Sequence, residues 1–303
     1  MSFSQPLVST IIVTHNRPEL LRKAIAAVRT QTYTGPIETI VVFDQEKPDE
    51  SLVCESVDRP VRVIANLERT PGLAGARNTG ILAATGEFVA FCDDDDYWLP
   101  TKTETQLASI GESIASIAGI TVNYGDRQID RVPDRETFTL ENVVRYRLME
   151  GHPSSMIVRR DAVLNKIGLV DEVLPNSYGE DFDFIIRVMQ AGSLSIVERP
   201  LVVVLWGQSL FQRDWGSIVE ALDYLVDKHA AFRADRRAMA RIYGQRGFAN
   251  ASLGKRSEAI RDAGRALVKW PLEKRILAIV PVASGMISSP TIMDIANRHG
   301  RGI

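Results

Sequence analysis

The sequence predicts an α/β fold, a mainly parallel sheet flanked by helices, with a helical C-terminal extension. Three observations carry this. The front half alternates continuous apolar, β-branched runs with segments of helical periodicity. Several of those runs end in polar residues, as strands do at a ligand-binding rim. From about residue 214 onward only helical periodicity remains.

In order, LVSTIIV (7–13) is a β-branched run, and RPELLRKAIAAVRTQ follows with apolar residues at helical spacing. Pro18 suits the first turn of that helix and Asn16 is the expected cap. IETIVVF (37–43) and VRVIA (61–65) read as strands, and GLAGARNTGILAATG opens a helix. EFVAFC (87–92) is the fourth strand, and LPTKTETQLASI the helix after it. The first strand ends in THNR, the second in DQE and the fourth in DDDD, which puts three polar ends on one rim. After about residue 110 the pattern loosens. SSMIVRR (154–160) and LVVVLW (201–206) are further strands, with a helix at roughly 180–191 between them. The segment 244–271 carries Gly247, Gly254, Ala259, Ala266, Leu267 and Pro271 at the spacing of one tetratricopeptide-like hairpin. A lone hairpin needs neighbours to be stable, so packing on the α/β domain is expected over a docking module. KRILAIVPVASGMI (274–287) is too short to span a bilayer and reads equally as a core helix or an interfacial one.

Composition narrows the classes. The chain has 303 residues, 45% hydrophobic and 24% charged, as expected of a folded globular protein. Its two cysteines, Cys54 and Cys92, form no disulfide framework and suit a reducing compartment. The N-terminus lacks the basic region and long apolar core of a secretion signal, so a cytoplasmic location is expected. Residues 233–275 hold twelve Lys/Arg against four Asp/Glu, and residues 1–232 carry −11. The basic part lacks the aromatic interleaving or zinc spacing of a nucleic-acid binder.

Two acidic clusters stand out. FVAFCDDDDYWLP places Asp93, Asp94, Asp95 and Asp96 behind a buried strand. Clustered carboxylates at a strand end serve a hard divalent cation or a coupled acid/base pair. GEDFDF supplies Glu180 and Asp181, with Asp183 beyond, in a first helical turn where the helix dipole alone would also favour them.

The order VSTIIVTHNRPELL, IVVFDQ, GLAGARNTGILAATGEFVAFCDDDDYWLP, SSMIVRRDAVLNKIGLVDE and GEDFDFIIRV resembles family 2 glycosyltransferases of the GT-A fold, over about residues 7–206. The resemblance implies a glycosyltransferase domain at 1–213, with a nucleotide-sugar half to about 110 and an acceptor half beyond it. The helical region 214–303 follows. It implies that Thr14, His15, Asn16 and Arg17, with Asp44, hold the donor nucleotide, joined by Arg77 and Asn78. His15 stands where the family usually has an aromatic, and Phe43 where it usually has an acid. The DxD motif falls on Asp93-Asp94-Asp95. By resemblance Asp95 holds a divalent cation, Mn²⁺ or Mg²⁺, with Asp93 assisting and Asp94 near the ribose. The xED motif makes Asp181 the base, with Glu180 second. The family's late histidine is absent from LWGQSLFQRDW, so Gln208, Ser209 or Arg213 substitutes for it, or the cation rests on Asp95 and phosphate alone. His152 lies too far upstream in sequence for that slot and is expected to line the acceptor cleft.

The function expected is inverting transfer of a sugar from a nucleotide-diphosphate donor, a UDP-sugar first, to a hydroxyl of a saccharide or lipid-linked acceptor. The basic C-terminal helices suggest peripheral membrane contact. The alternatives are an inactive nucleotide-sugar-binding protein and a sugar nucleotidyltransferase. THNRPELL lacks the Gly-rich basic loop of the latter. A haloacid-dehalogenase-type phosphatase would place its acids after the first strand rather than the fourth.

Overall fold

Every residue of Val8–Thr14 is buried, and these seven form β1, the central strand of the N-terminal half. In the computed structural model, which describes residues 5–206 and 214–298, the chain divides into two compact units. The first takes the chain up to Phe138, Met149–Val173 and the segment from Glu180 to the end of the sheet. β2 (Ile37–Asp44) lies parallel to β1 on one side and β4 (Phe88–Asp93) on the other; β3 (Val61–Asn66) is parallel to β2. Apolar side chains on both faces of these strands are buried, because α1 (Pro18–Arg29) and α2 (Leu73–Ala83) pack beside them. This is the parallel sheet that the alternating runs predict.

The register lines up the ends of these strands. Thr14 pairs with Phe43, Val13 with Asp93, and Asp44 with Asn66. Proline stands at the start of α1, as expected, but the cap position is Arg17, with no side-chain cap bond. Asn16, expected to cap, has a left-handed backbone (φ 55) and turns its amide to His15 instead. At the start of α2, Gly72 has φ 108, and a Cβ on Gly75 would lie 2.0 Å from the Thr70 carbonyl oxygen. These two glycines let the strand-to-helix turn close tightly.

Beyond β4 the sheet is mixed. β5 (Tyr97–Trp98) precedes α3 (Lys102–Ile110), and β6 (Ala115–Asn123) leads into β7 (Gln128–Arg131). α4 (Leu140–Tyr146) belongs to the second unit. β8 (Met156–Arg159) runs antiparallel to both β4 and β6, followed by the short turn α5 (Arg160–Ala162). α6 (Glu180–Ala191) precedes β9 (Leu194–Leu205), which is parallel to β6. Among the described residues the sheet has nine strands, in the order β3-β2-β1-β4-β8-β6-β9-β5 with β7 on β6. Pro200 sits inside β9 at the register shift opposite Gly119, where the ladder is already interrupted. β6 escapes the sequence reading because Ala, Ser and Gly dilute its β-forming residues. This is a GT-A, Rossmann-like arrangement.

The second unit is helical. α7 (Trp215–Lys228) and α8 (Ala230–Ala234) precede the hairpin of α9 (Arg236–Ser252) and α10 (Arg256–Lys269), whose turn holds Gly254 at φ 74. α11 (Ile276–Ser284) packs on both hairpin helices, and α12 (Ser289–Arg298) follows. Phe248, Ala259, Ile279 and Met293 share its core. The buried Asp262 accepts hydrogen bonds from Arg246 and Asn250. Arg241, also buried, donates to the carbonyls of Val144 (2.9 Å) and Arg145 (3.2 Å) near the end of α4. Burial, then Arg275 and Arg147 nearby, pull Arg241 down to about 9. No described helix is long and apolar enough to cross a membrane.

Candidate active site

The rim formed by the ends of β1, β2 and β4 gathers most of the polar residues singled out from the sequence. At the end of β1, Thr14 Oγ1 donates to Asp94 at 2.8 Å. Arg17 Nη1 reaches Asp94 at 3.2 Å and Asp95 at 2.5 Å. At the end of β2, Asp44 accepts from Asn66 Nδ2 and from the Gly72 N–H, each at 2.8 Å, so its carboxylate joins the β3 end to the start of α2. The Asp44 carbonyl lies 2.9 Å from His15 Nδ1, and His15 and Asn16 are exposed above it. A cleft of about 150 Å³ beside this rim is lined by Thr14, Asn16, Arg17, Phe43, Glu46 and Asp49, among others.

The four aspartates differ in their surroundings. Asp93 accepts from Arg77 Nη2 at 2.6 Å, and its own N–H donates to Ser154 Oγ at 3.0 Å. Asp94 and Asp95 turn to Arg17. Asp96 is buried, its N–H bonded back to the Asp93 carbonyl. His152 Nε2 lies 3.9 Å from Asp93 Oδ2, and Nδ1 3.6 Å from Asp96 Oδ2. A charged partner favours ionisation and burial opposes it. Burial would raise Asp93, but Arg77, His152 and Arg17 outweigh it and hold that carboxyl below the ordinary value. Burial pushes Asp94 up to about 6 against Thr14 and Arg17. Burial and then Asp93 raise Asp95, and the same two causes lift Asp96 well above the ordinary range.

The second acidic cluster meets the first through one guanidinium. Arg77, buried on α2, pairs with Asp93 on one side and with Glu180 on the other. Burial drives Glu180 up to about 7 against this pairing, because one cation serves two carboxylates with Asp181 close by. Arg77 itself is held above its ordinary value, burial being outweighed by Glu180 and Asp93. Asp181 is partly exposed, its Oδ1 accepting from the Phe182 N–H at 2.7 Å. Arg77, Phe91, Met156, Glu180, Asp181 and Phe184 line a shared pocket.

Asn78 turns away from this rim. Its amide donates to the Val170 carbonyl (2.8 Å) and Glu172 (2.7 Å) and accepts from the Val170 N–H (2.8 Å), clamping the segment 170–172 to α2. His152 stands beside the aspartates despite its distance from them in sequence. β8 pairs beside β4, so the turn Pro153–Ser155 carries His152 to the aspartates although 56 residues separate it from Asp96. Gln208, Ser209 and Arg213 lie outside the described residues. Asn66 has no local pattern to mark it, and Ser154 and Glu172 stand at the two ends of SSMIVRRDAVLNKIGLVDE with nothing in that stretch to assign their roles; strand pairing and loop closure do so.

The donor atoms of Asp93, Asp96 and His152 lie within 4.8 Å of one another. Asp96 Oδ2 is buried with no hydrogen-bond partner among the described residues. Two carboxylates and an imidazole fit a divalent cation such as Mn²⁺.

The sequence model of Glycosyl transferase family 2 matches residues 9–167, just over half of the chain. The chain belongs to glycosyl transferase family 2. The match takes in Arg17, Asp44, Arg77, the four aspartates and His152, and stops before Glu180 and Asp181. Among curated relatives, this family 2 chain is 33% identical over 125 residues to UDP-Glc:alpha-D-GlcNAc-diphosphoundecaprenol beta-1,3-glucosyltransferase WfgD of Escherichia coli. That stretch covers 41% of this chain and 46% of WfgD, about half the length of that relative. Among solved structures it resembles S. aureus TarS 1-349 in complex with UDP-GlcNAc, with a TM-score of 0.61 and 18% identity, covering 90% of this chain and 83% of that one. It also resembles mannosyltransferase PcManGT from Pyrobaculum calidifontis in complex with GDP-Man and Mn²⁺, with a TM-score of 0.53 and 17% identity, covering 95% and 82%. At these identities the structures establish a common fold.

Proposed function

We propose that the protein is an inverting, cation-dependent glycosyltransferase that moves a sugar from a UDP-sugar to a hydroxyl of a lipid-linked saccharide. One observation carries this reading in a family 2 chain. The acidic turn at the end of β4 is held between Arg17 and the Arg77–Glu180 pair, so a donor site and a candidate base share one rim. The donor named for WfgD and the ligand of TarS support uridine, and the name of WfgD supports a diphosphoundecaprenol-linked acceptor.

Thr14, His15, Asn16 and Asp44 then border the nucleotide, Asp94 the ribose and Arg17 the diphosphate. Arg77 and Asn78 keep the frame rigid, the first by joining Asp93 to Glu180 and the second by clamping the segment 170–172. Asp93, Asp96 and His152 form the ligand set drawn together, and Asp95 is the motif's further carboxylate. Bound by these residues, a divalent cation would supply positive charge to offset that of the diphosphate. The acceptor oxygen forms its bond to the anomeric carbon as the bond to phosphate breaks. The electron pair leaves with the nucleoside diphosphate, and the proton passes to the base. Asp181 is preferred as base over Glu180, which is buried and tied to Arg77, whereas Asp181 is partly exposed.

Thermal unfolding with UDP- and GDP-sugars, with and without Mn²⁺, tests the reading. A UDP-sugar in about 100-fold excess over its Kd should raise Tm by roughly 5 °C, and only with the cation. No shift with any nucleotide contradicts a donor site.

A further inference from the structure

The second unit keeps an apolar surface that its own core does not cover. Within the segment 267–287, Val268 is 74% exposed, Leu272 73%, Leu277 80% and Met286 73%, with Leu267 and Val280 half exposed. α11 is apolar on both faces. Ile279, Val282 and Ala283 point into the core, while Leu277 and Val280, one turn apart, point out. An outward leucine alone means nothing, but this concentration in one short segment does.

Between 261 and 287 the fully exposed charges have one sign. Arg261, Arg265 and Lys274 are exposed and Lys269 is half-buried. The acids between 261 and 287 are Asp262 and Glu273. Asp262 is buried on Arg246, and Glu273 accepts from Arg275 at 2.7 Å. A basic, apolar stretch whose exposed acids, Glu258 and Asp294, lie only at its flanks matches an anionic bilayer, where aliphatic side chains enter the acyl boundary and Lys/Arg meet headgroup phosphates. We propose that the segment 267–287 docks the protein peripherally on anionic phospholipid. This places the enzyme where a lipid-linked acceptor resides, but it does not rest on the donor chemistry.

The full chain should co-sediment with vesicles of phosphatidylglycerol and phosphatidylcholine, and about 10-fold less with phosphatidylcholine alone. The triple variant Leu272→Glu, Leu277→Glu, Val280→Glu should lower binding to anionic vesicles at least ~10-fold with Tm unchanged. Lys269→Ser with Lys274→Ser, which leaves Leu272, Leu277 and Val280 in place, should lower it several-fold. The proposal is overturned if the parent stays in the supernatant, or if both variants pellet like the parent. It is also overturned if the apolar variant instead turns a dimer into a monomer, which would make this face a contact between copies. Asp95→Ala, which tests the donor site, should pellet like the parent.

Discussion

Arg17 and Arg77 are two guanidiniums set among six carboxylates, those of Asp93, Asp94, Asp95, Asp96, Glu180 and Asp181. This imbalance is what burial converts into raised carboxyl values at Asp94, Asp96 and Glu180. A cation would relieve it, and His152 bears on which cation. Imidazole favours Mn²⁺ over Mg²⁺, which prefers all-oxygen sites. His152→Ala should therefore weaken Mn²⁺ binding by about 10- to 100-fold and erase any preference over Mg²⁺, read from the electron paramagnetic resonance of free Mn²⁺. Unchanged Mn²⁺ affinity in His152→Ala, with loss in Asp95→Ala, would instead place the cation on the Asp93–Asp95 pair.

At the scale of elements, α3 carries an unusual burden. Lys102, its first residue, is fully buried, and its ammonium lies 4.0 Å from the centre of the Trp98 ring with no hydrogen-bond partner among the described residues. Burial pulls it from 10.5 down to about 7. Because its folded value is the lower one, the cost is full below about pH 7 and declines as pH rises toward 10.5. Lys102→Met should therefore raise stability by about 1 kcal/mol, allowing for the lost cation–π contact, and more at pH 6 than at pH 9. A lower Tm at pH 6 would show that the ammonium has a role this reasoning omits. The same scale explains what the sequence discloses. β1, β2 and β4 are legible because strands buried on both faces are unbroken apolar runs, and their polar ends identify the rim. β6 is not legible, being diluted by Ala, Ser and Gly, and β5 has only two residues. Asp93–Asp96 and Glu180–Asp181 can be found locally. The roles of His152, Asn66 and Glu172 cannot, because β4–β8 pairing, β2–β3 pairing and the Asn78 clamp create them.

Across the whole molecule the charge is partitioned, with −11 over residues 1–232 and an excess of +8 between 233 and 275. An acidic front part would repel a nucleotide-diphosphate donor of the kind proposed unless a cation bridged them, whereas a basic helical stretch suits an anionic surface. The family match ends at residue 167, so Asp181 is the part of the account most in need of its own test. Release of UDP from a UDP-sugar with Mn²⁺ can be compared in the parent chain and Asp181→Asn, with donor affinity measured on both. If Asp181 is the base, the variant should bind donor as the parent does and lose turnover by about 10²- to 10⁴-fold. A variant that turns over donor at the parental rate would contradict the assignment of the base on α6.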